Sequence, residues 1–197
     1  MNGIASGLFL ASATALLGSP GPGIAALLAV GRAEGWGALR FYAGLQLGLA
    51  VAFGVTAIGL LSLLQAVPFA ARAMALVSAG YLIYLAYRIA IASVGSALQS
   101  EHARSSVMSG FLLGIANPKA YVAFASLLAS QTLVTHDRQA DSLLKWFLCV
   151  IVAIVVDIAW LFVGVRLQRA ALRPVTERIL NFTLAATILL TAIFTLV

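Results

Sequence analysis

The sequence predicts an all-α integral membrane protein of about six transmembrane helices, arranged as two inverted three-helix repeats with broken helices 1 and 4. Three observations support this. Of the 197 residues, 62% are apolar and only 9% are charged, whereas a soluble domain carries about 25% charged residues. The charges are also segregated between uncharged stretches that approach or exceed the roughly 20 residues of a membrane-crossing helix. Finally, each half of the chain carries one helix-breaking motif inside an apolar run.

The apolar runs define six spans, and turn residues mark several of their ends. Pro68 suits the first turn of the third span, where its missing N–H costs nothing. Pro174 and Thr176 mark the turn and the cap before the last span. The polar connections are short, so residues 1–197 are predicted to form a single transmembrane domain. The spans are 3–30, 38–63, 68–91, 107–130, 143–166 and 177–197.

The distribution of Lys and Arg predicts the orientation in the membrane. The loops after spans one, three and five carry more basic residues than the other side, which predicts that both termini lie outside. In a bacterial inner membrane the outside is the periplasm. No Lys or Arg precedes Ala11-Ser12-Ala13, so the first span is predicted to be a retained helix rather than a signal peptide. The richer side holds Arg32, Arg40, Arg88, Arg104, Arg166, Arg169, Arg173 and Arg178, and the other holds Arg72, Arg138 and Lys145.

The net charge and the single cysteine argue against other classes of protein. The formal charge of +6 comes from residues at the ends of apolar spans, where orientation signals are expected, so no nucleic-acid partner is predicted. Cys149 has no second cysteine for a disulfide or a redox pair, and we interpret it as a packing residue. The sequence contains no paired-cysteine, His-rich or His-Glu-x-x-His pattern that would predict a metal, a cofactor or an enzyme.

The first span is interrupted by Ser19-Pro20-Gly21-Pro22-Gly23. Two prolines remove two amide donors, and the glycines permit backbone angles outside the helical range, so a continuous helix is not expected. Unpaired backbone groups at membrane depth must be buried in protein or face a water-filled cavity. The alternative is a tight turn at the membrane surface, although the residues before it are too few to span the bilayer.

The fourth span is interrupted by Asn117-Pro118-Lys119. A lysine at membrane depth is costly and by default marks a functional site or a buried partner. The alternative is that its long side chain extends to the membrane surface. Each break lies in the first helix of a three-helix set, and duplication of such a unit gives inverted repeats, here 1–92 and 105–197. Paired broken helices of this kind point to a transporter binding site.

Asp157 is the other charged residue far from the ends of a predicted span. An isolated carboxylate there would be protonated or paired, which makes Asp157 a candidate proton carrier or a counter-charge for an ammonium group. The alternative is a structural pair with Lys119 or an arginine. Gln46 adds a polar side chain in the second span, although the flanking Gly44 and Gly48 favour simple helix packing there.

Taken together, these motifs resemble the LysE/RhtB family of amino-acid exporters, the LysE family translocators. The matching segments occur in order and are spread over nearly the whole chain, which makes the set more specific than any one of them. They are 19–22, 31–32, 35, 43–50, 79–85, 117–119 and 156–157.

The resemblance implies a multi-pass exporter of amino acids or close derivatives in the cytoplasmic (inner) membrane, a secondary transporter coupled to protons. The implied partners are a small-molecule amino-acid substrate, protons and the lipid bilayer, and the glycine-rich helix faces are compatible with a homodimer. No cofactor is implied. The residues that inherit a place on the substrate path are Pro20, Gly21, Pro22, Asn117, Pro118 and Asp157.

These residues lead to a mechanistic hypothesis. The two breaks face each other, and their helix N-termini bind a carboxylate that Lys119 reinforces, while Asp157 receives an ammonium group or a proton. Rocking of one half against the other then alternates access. The rival hypotheses are export of a metal or other inorganic ion by a related fold, a membrane enzyme and a non-transporting scaffold. Soft metals are disfavoured because His102 and His136 lie in loops.

Overall fold

A computed structural model describes residues 3–19, 21–58 and 106–169, together with scattered single positions between 69 and 91 and between 175 and 193. Pro20 and most of the predicted third and sixth spans lie outside the described residues. Within the described residues all regular secondary structure is helical, which confirms the predicted all-α class, while the six spans and the inverted repeats stay predictions. The elements are α1 (Gly3–Gly18), α2 (Pro22–Glu34), a 3₁₀ helix (Gly35–Ala38), α3 (Leu39–Ala57), α4 (Val107–Ile115), α5 (Pro118–Leu128) and α6 (Arg138–Arg169).

The predicted first, second, fourth and fifth spans correspond to these helices, with differences at their ends. The first and fourth spans are each two helices, divided at the proline motifs. The fifth is longer than the predicted 143–166, since α6 begins at Arg138. Its start is explained by Asp137, whose Oδ1 accepts hydrogen bonds from the N–H groups of Gln139 (2.8 Å) and Ala140 (3.0 Å). This is an N-cap, which satisfies amide donors that have no partner inside the helix.

The length and composition of the helices suit a bilayer. Two stretches, Pro22–Ala57 and Arg138–Gln168, are long and apolar enough to cross a membrane, and α4 with α5 forms a third if the bent pair is one span. The first stretch is not one straight helix, because the chain reverses direction at Gly35, between α2 and α3. Gly35 has φ 57°, a value that glycine adopts without strain. A Cβ placed on Gly23 would lie 3.7 Å from the Leu45 side chain, so α3 runs back along α2.

The helix α2 is the centre of the described part. Nearly all of its residues are buried, from Pro22 to Leu27 and from Ala29 to Gly31. It packs mainly against α6, which also contacts α1 and α3. Cys149 of α6 is fully buried in this core, in agreement with its interpretation as a packing residue. A helix that is apolar and buried all round is typical of the interior of a membrane bundle.

Helices α3 and α4 cross at backbone contact. Gly44 and Gly48 of α3 face Gly110 and Gly114 of α4, and a Cβ at any of the four would meet the backbone of the other helix. Small residues at such crossings allow membrane helices to pack closely. The packing interpretation of Gly44 and Gly48 therefore fits the structure. By contrast, a Cβ on Gly7 of α1 would meet no atom within 4 Å among the described residues.

A buried ion pair fixes the connection between α5 and α6. Lys145 is 2% exposed, lies 2.8 Å from a carboxylate oxygen of Asp141 and donates to the Leu128 carbonyl (2.9 Å). Oδ1 of Asp141 accepts from the N–H groups of Leu133 (2.6 Å) and Val134 (2.8 Å). The sequence analysis counted Lys145 as a loop charge on the outer side. Its side chain is enclosed by protein, and the predicted orientation of the chain stays a prediction.

Replacing Lys145 by methionine is expected to destabilise the protein by about 3 kcal/mol, because removing one partner of a buried ion pair leaves the other charge uncompensated. Thermal unfolding in detergent measures this loss. The double variant Asp141→Asn, Lys145→Met should recover most of it, since asparagine still accepts the two loop amides without a charge. Arg138→Met, at an exposed position, is the control, and an equal loss in this control would refute the assignment.

Candidate translocation site

The first break separates α1 from α2. α1 ends at Gly18, and α2 begins at Pro22 with Gly21 as its N-cap residue, in an extended conformation (φ −170°, ψ −175°). Pro22 occupies the first helical position, where a missing N–H carries no cost. The first hydrogen bond of α2 runs from the Ala25 N–H to the Gly21 carbonyl (2.9 Å). The sequence prediction of a broken first span is thus met, and the break leaves a helix N-terminus at Gly21–Pro22.

The second break has the same local design. α4 ends at Ile115, α5 begins at Pro118, and the two helices are bent by 53°. Asn117 is the N-cap residue of α5, again in an extended conformation (φ −77°, ψ 101°), and again a proline occupies the start of the helix. Neither Gly21 nor Asn117 makes a side-chain cap hydrogen bond. Neither helix start is therefore closed by a side-chain cap, and the positive end of each helix dipole lies at its break.

The two breaks are in contact. The Lys119 ammonium donates a hydrogen bond to the Ser19 carbonyl, and a Cβ on Gly21 would lie 2.7 Å from Cδ of Lys119. On the other side, a Cβ on Gly23 would lie 3.7 Å from the Asn117 amide nitrogen. Residues about 100 positions apart in the chain thus form one site. Lys119 reaches the opposite break, which differs from the alternative in which it extends to the membrane surface.

Asp157 and Gln46 form the second polar contact of the site. Asp157 of α6 is 6% exposed, and its carboxylate accepts a hydrogen bond from the Gln46 amide of α3 (2.8 Å). Asp157 and Lys119 also attract each other electrostatically. Gln46 therefore contributes a hydrogen bond to the site, in addition to lying between the packing glycines Gly44 and Gly48. Asp157 therefore has an uncharged hydrogen-bond partner and also interacts with the charge of Lys119.

A cavity of about 40 Å³ lies between these groups. Its polar lining comes from Asn117, Lys119 and Asp157, and Gly21 and Gly23 expose backbone to it. The rest of the lining among the described residues is apolar: Leu17, Ile24, Leu49, Phe53, Ala120, Ala123 and Ala153. The cavity therefore combines an ammonium, a carboxylate and an amide with two helix N-termini, inside an apolar wall.

The helix breaks leave carbonyl groups without a hydrogen-bond donor inside their own helix. Two aromatic side chains that the sequence analysis does not single out donate hydrogen bonds to these carbonyls. The indole N–H of Trp160 donates to the Gly18 carbonyl at the end of α1 (3.4 Å). The Tyr121 hydroxyl donates to the Ile115 carbonyl at the end of α4 (2.9 Å). A buried Trp or Tyr normally finds an acceptor for its polar end, and a broken helix at membrane depth supplies carbonyls that need donors. A Trp or Tyr in an apolar span of a chain with broken helices was therefore the sequence signal that could have identified both residues.

The structure brings together nine of the ten residues predicted for the site, and Pro20 lies outside the described residues. The nine include Pro22 and Pro118, which start the two helices, and Ser19, whose carbonyl accepts from Lys119. Gln46 reaches the site only through Asp157. The roles of these residues in binding or translocation stay predictions, since geometry alone does not test them.

Two broken helices meeting at a buried polar cavity, in an apolar helical chain, define a membrane translocator. The chain belongs to the LysE type translocator family, whose sequence profile matches residues 14–197. No curated protein and no solved structure shows significant similarity to it. The family assignment confirms the resemblance described above and makes the chain a membrane transport protein.

Proposed function

We propose that the protein exports amino acids or close derivatives across the cytoplasmic membrane, as a secondary transporter driven by the proton motive force. The observation that carries this proposal is the convergence of Lys119, Asp157 and two helix N-termini on one buried cavity. An amino acid has a carboxylate and an ammonium a few ångströms apart. A site with a positive region and a carboxylate on opposing elements is complementary to both groups.

The carboxylate of the substrate is assigned to the helix N-termini. The amides at the starts of α2 and α5 carry partial positive charge, and the aligned peptide dipoles of each helix add to it. Lys119 contributes a full charge beside them. Because the positive groups come from two different breaks, a bound carboxylate holds α2 and α5 together. Binding therefore couples the two predicted halves, which rock against each other to alternate access.

Asp157 is assigned to the ammonium group of the substrate and to the proton. It is buried, and its hydrogen-bond donor Gln46 is uncharged. Its carboxylate can carry either a charge or a proton, so it can bind an ammonium group or take up a proton. Binding of a proton and binding of an ammonium are therefore mutually exclusive at Asp157. This exclusion links entry of a proton to release of the substrate, as export against a gradient requires.

The proposal is tested by reconstitution in liposomes and measurement of flux of labelled lysine, arginine, threonine, homoserine, leucine and alanine, with and without a pH gradient. The blank is the double variant Asn117→Ala, Asp157→Ala. Gradient-dependent flux of at least one amino acid, absent from the blank, is the expected result. Flux at the level of the blank for every member would overturn amino-acid export and make an inorganic ion the next candidate.

A further inference from the structure

The side-chain amide of Asn117 has an unused acceptor. Asn117 is 6% exposed, lines the cavity, and its Oδ1 makes no hydrogen bond among the described residues. An asparagine at the N-cap position normally turns this oxygen onto its own helix, but here it makes no cap hydrogen bond. A buried polar atom without a partner is costly and uncommon in native proteins. A ligand in the cavity is the simplest source of the missing donor.

The chemistry of Oδ1 restricts what that donor is. An amide oxygen only accepts hydrogen bonds, so the ligand group that faces it must carry N–H or O–H. The Lys119 ammonium lies at the first break, beside Ser19 and Gly21, so the start of α2 forms the positive side that suits the ligand's carboxylate. Among the described lining residues, Asn117 and Asp157 supply the side-chain acceptors. An α-ammonium group placed between them donates hydrogen bonds to both acceptors, and the Asp157 carboxylate compensates its positive charge.

Among the described residues that line the cavity, Asp157 supplies the one carboxylate. The chain contains six acidic residues in all, and Asp157 is the only one deep within a predicted span. Glu34, Glu101, Asp137, Asp141 and Glu177 lie in connections or at span ends. A lysine or arginine substrate would therefore bring a second positive charge into a cavity whose single carboxylate is already engaged. An unpaired charge in such a place is strongly unfavourable.

The size and the lining of the cavity also favour a small, uncharged side chain. Its volume of about 40 Å³ has room for on the order of three water molecules, and the walls beside Asn117 are alanine and large apolar side chains. A short side chain fills this space with the least expansion. A longer side chain would have to displace part of this lining.

We propose that Asn117 accepts a hydrogen bond from the α-ammonium of a zwitterionic amino acid with a short, uncharged side chain, and that the site selects against cationic amino acids. This inference rests on the proposed amino-acid export and names its substrate class. Asn117 is then a specificity-determining residue that touches the substrate, while Lys119 and Asp157 supply the balanced charges on either side.

The test uses equilibrium binding of radiolabelled L-alanine and L-lysine to the purified protein in detergent, with counterflow of both in liposomes. The wild type is expected to prefer alanine by at least about 10-fold. Asn117→Leu keeps the size but removes the acceptor, and should weaken alanine binding by about 10- to 100-fold, the range for a hydrogen bond to a charged group. Asn117→Asp adds a carboxylate and should shift the lysine-to-alanine ratio towards lysine by about 10-fold or more.

A loss of folding is not expected to account for the changes in alanine and lysine binding. Asn117→Leu removes an unpaired polar atom from a buried position, and its melting temperature is expected to be at least that of the wild type. A merely structural role of Asn117 would lower stability in both variants and leave the lysine-to-alanine ratio unchanged. The ratio therefore reports direct contact with the substrate.

Two results would overturn the inference. One is wild-type binding of lysine as tight as that of alanine, and the other is unchanged alanine binding by Asn117→Leu. Transport of lysine without alanine would leave amino-acid export standing and remove only the substrate class assigned here. A different result would overturn both the proposed function and this inference. In that result neither alanine nor lysine shows binding or counterflow, and no amino acid in the liposome flux measurements is transported above the blank.

Discussion

Replacing Asp157 by asparagine is expected to abolish gradient-driven transport, with a fall in flux of about 100-fold. The substitution keeps the size of the side chain and its contact with Gln46 but removes both the charge and the titratable proton. Loss of a charged hydrogen bond to the substrate alone accounts for up to ~3 kcal/mol, and each 1.4 kcal/mol is a factor of 10. Flux in reconstituted liposomes, with and without an imposed pH gradient, measures the effect.

The pH dependence separates coupling from binding. Exchange of substrate without a gradient is expected to survive weakly in Asp157→Asn and to become independent of pH, because the proton-carrying group is gone. Asp137→Asn makes the same chemical change at an exposed position, where asparagine still caps α6, and should transport like the wild type. A wild-type rate with wild-type pH dependence in Asp157→Asn would remove Asp157 from the coupling mechanism.

The second large effect is expected at the crossing of α3 and α4. A Cβ on Gly114 would lie 2.6 Å from the Leu45 carbonyl oxygen and 2.9 Å from both Gly48 Cα and the Leu49 nitrogen. These are backbone atoms, so no side chain can rotate away and the helices must separate. Gly114→Ala is therefore expected to cost about 3 kcal/mol, which lowers the melting temperature by roughly 6–12 °C in a chain of this size. Gly114→Leu should prevent accumulation of folded protein.

Gly7→Ala provides the matched control for this prediction. A Cβ on Gly7 meets no atom within 4 Å in the described part of the chain, and alanine is the better helix former. The control should thus melt at or slightly above the wild-type temperature in the same detergent. Equal melting temperatures for Gly114→Ala and Gly7→Ala would show that the crossing tolerates separation, and that backbone contact there does not stabilise the fold.

The crossing also matters for the site. Gly114 lies at the end of α4, one residue before Ile115, where the second break begins. The contact with α3 therefore fixes the position from which Asn117 and Lys119 project. The same helix α3 carries Gln46, which binds Asp157. Movement at the glycine crossing would alter both polar contacts of the cavity together, and the transport activity of Gly114→Ala should fall along with its stability.

Much of this arrangement was predictable because it is local. The membrane class follows from composition, since so few charges cannot solvate a surface in water. The two helix breaks follow from Pro22, Pro118 and their neighbours, because proline and glycine act on the backbone of their own segment. For the same reason the first and fourth spans are divided at these motifs, as predicted. The burial of Lys145 was not predictable, because its partners depend on how a connection folds back over α6.

The sequence by itself thus determined that the chain crosses a membrane as helices, that two of its spans are broken, and which residue types are costly there. Only the tertiary structure decided the partners: Gln46 with Asp157, 111 positions apart, Lys119 with the first break, and Trp160 and Tyr121 with the released carbonyls. The physical reason is that propensity acts over a few residues, whereas pairing depends on how each helix is rotated and how closely it approaches its neighbours. In this protein those approaches are set by glycines of distant segments that meet backbone to backbone.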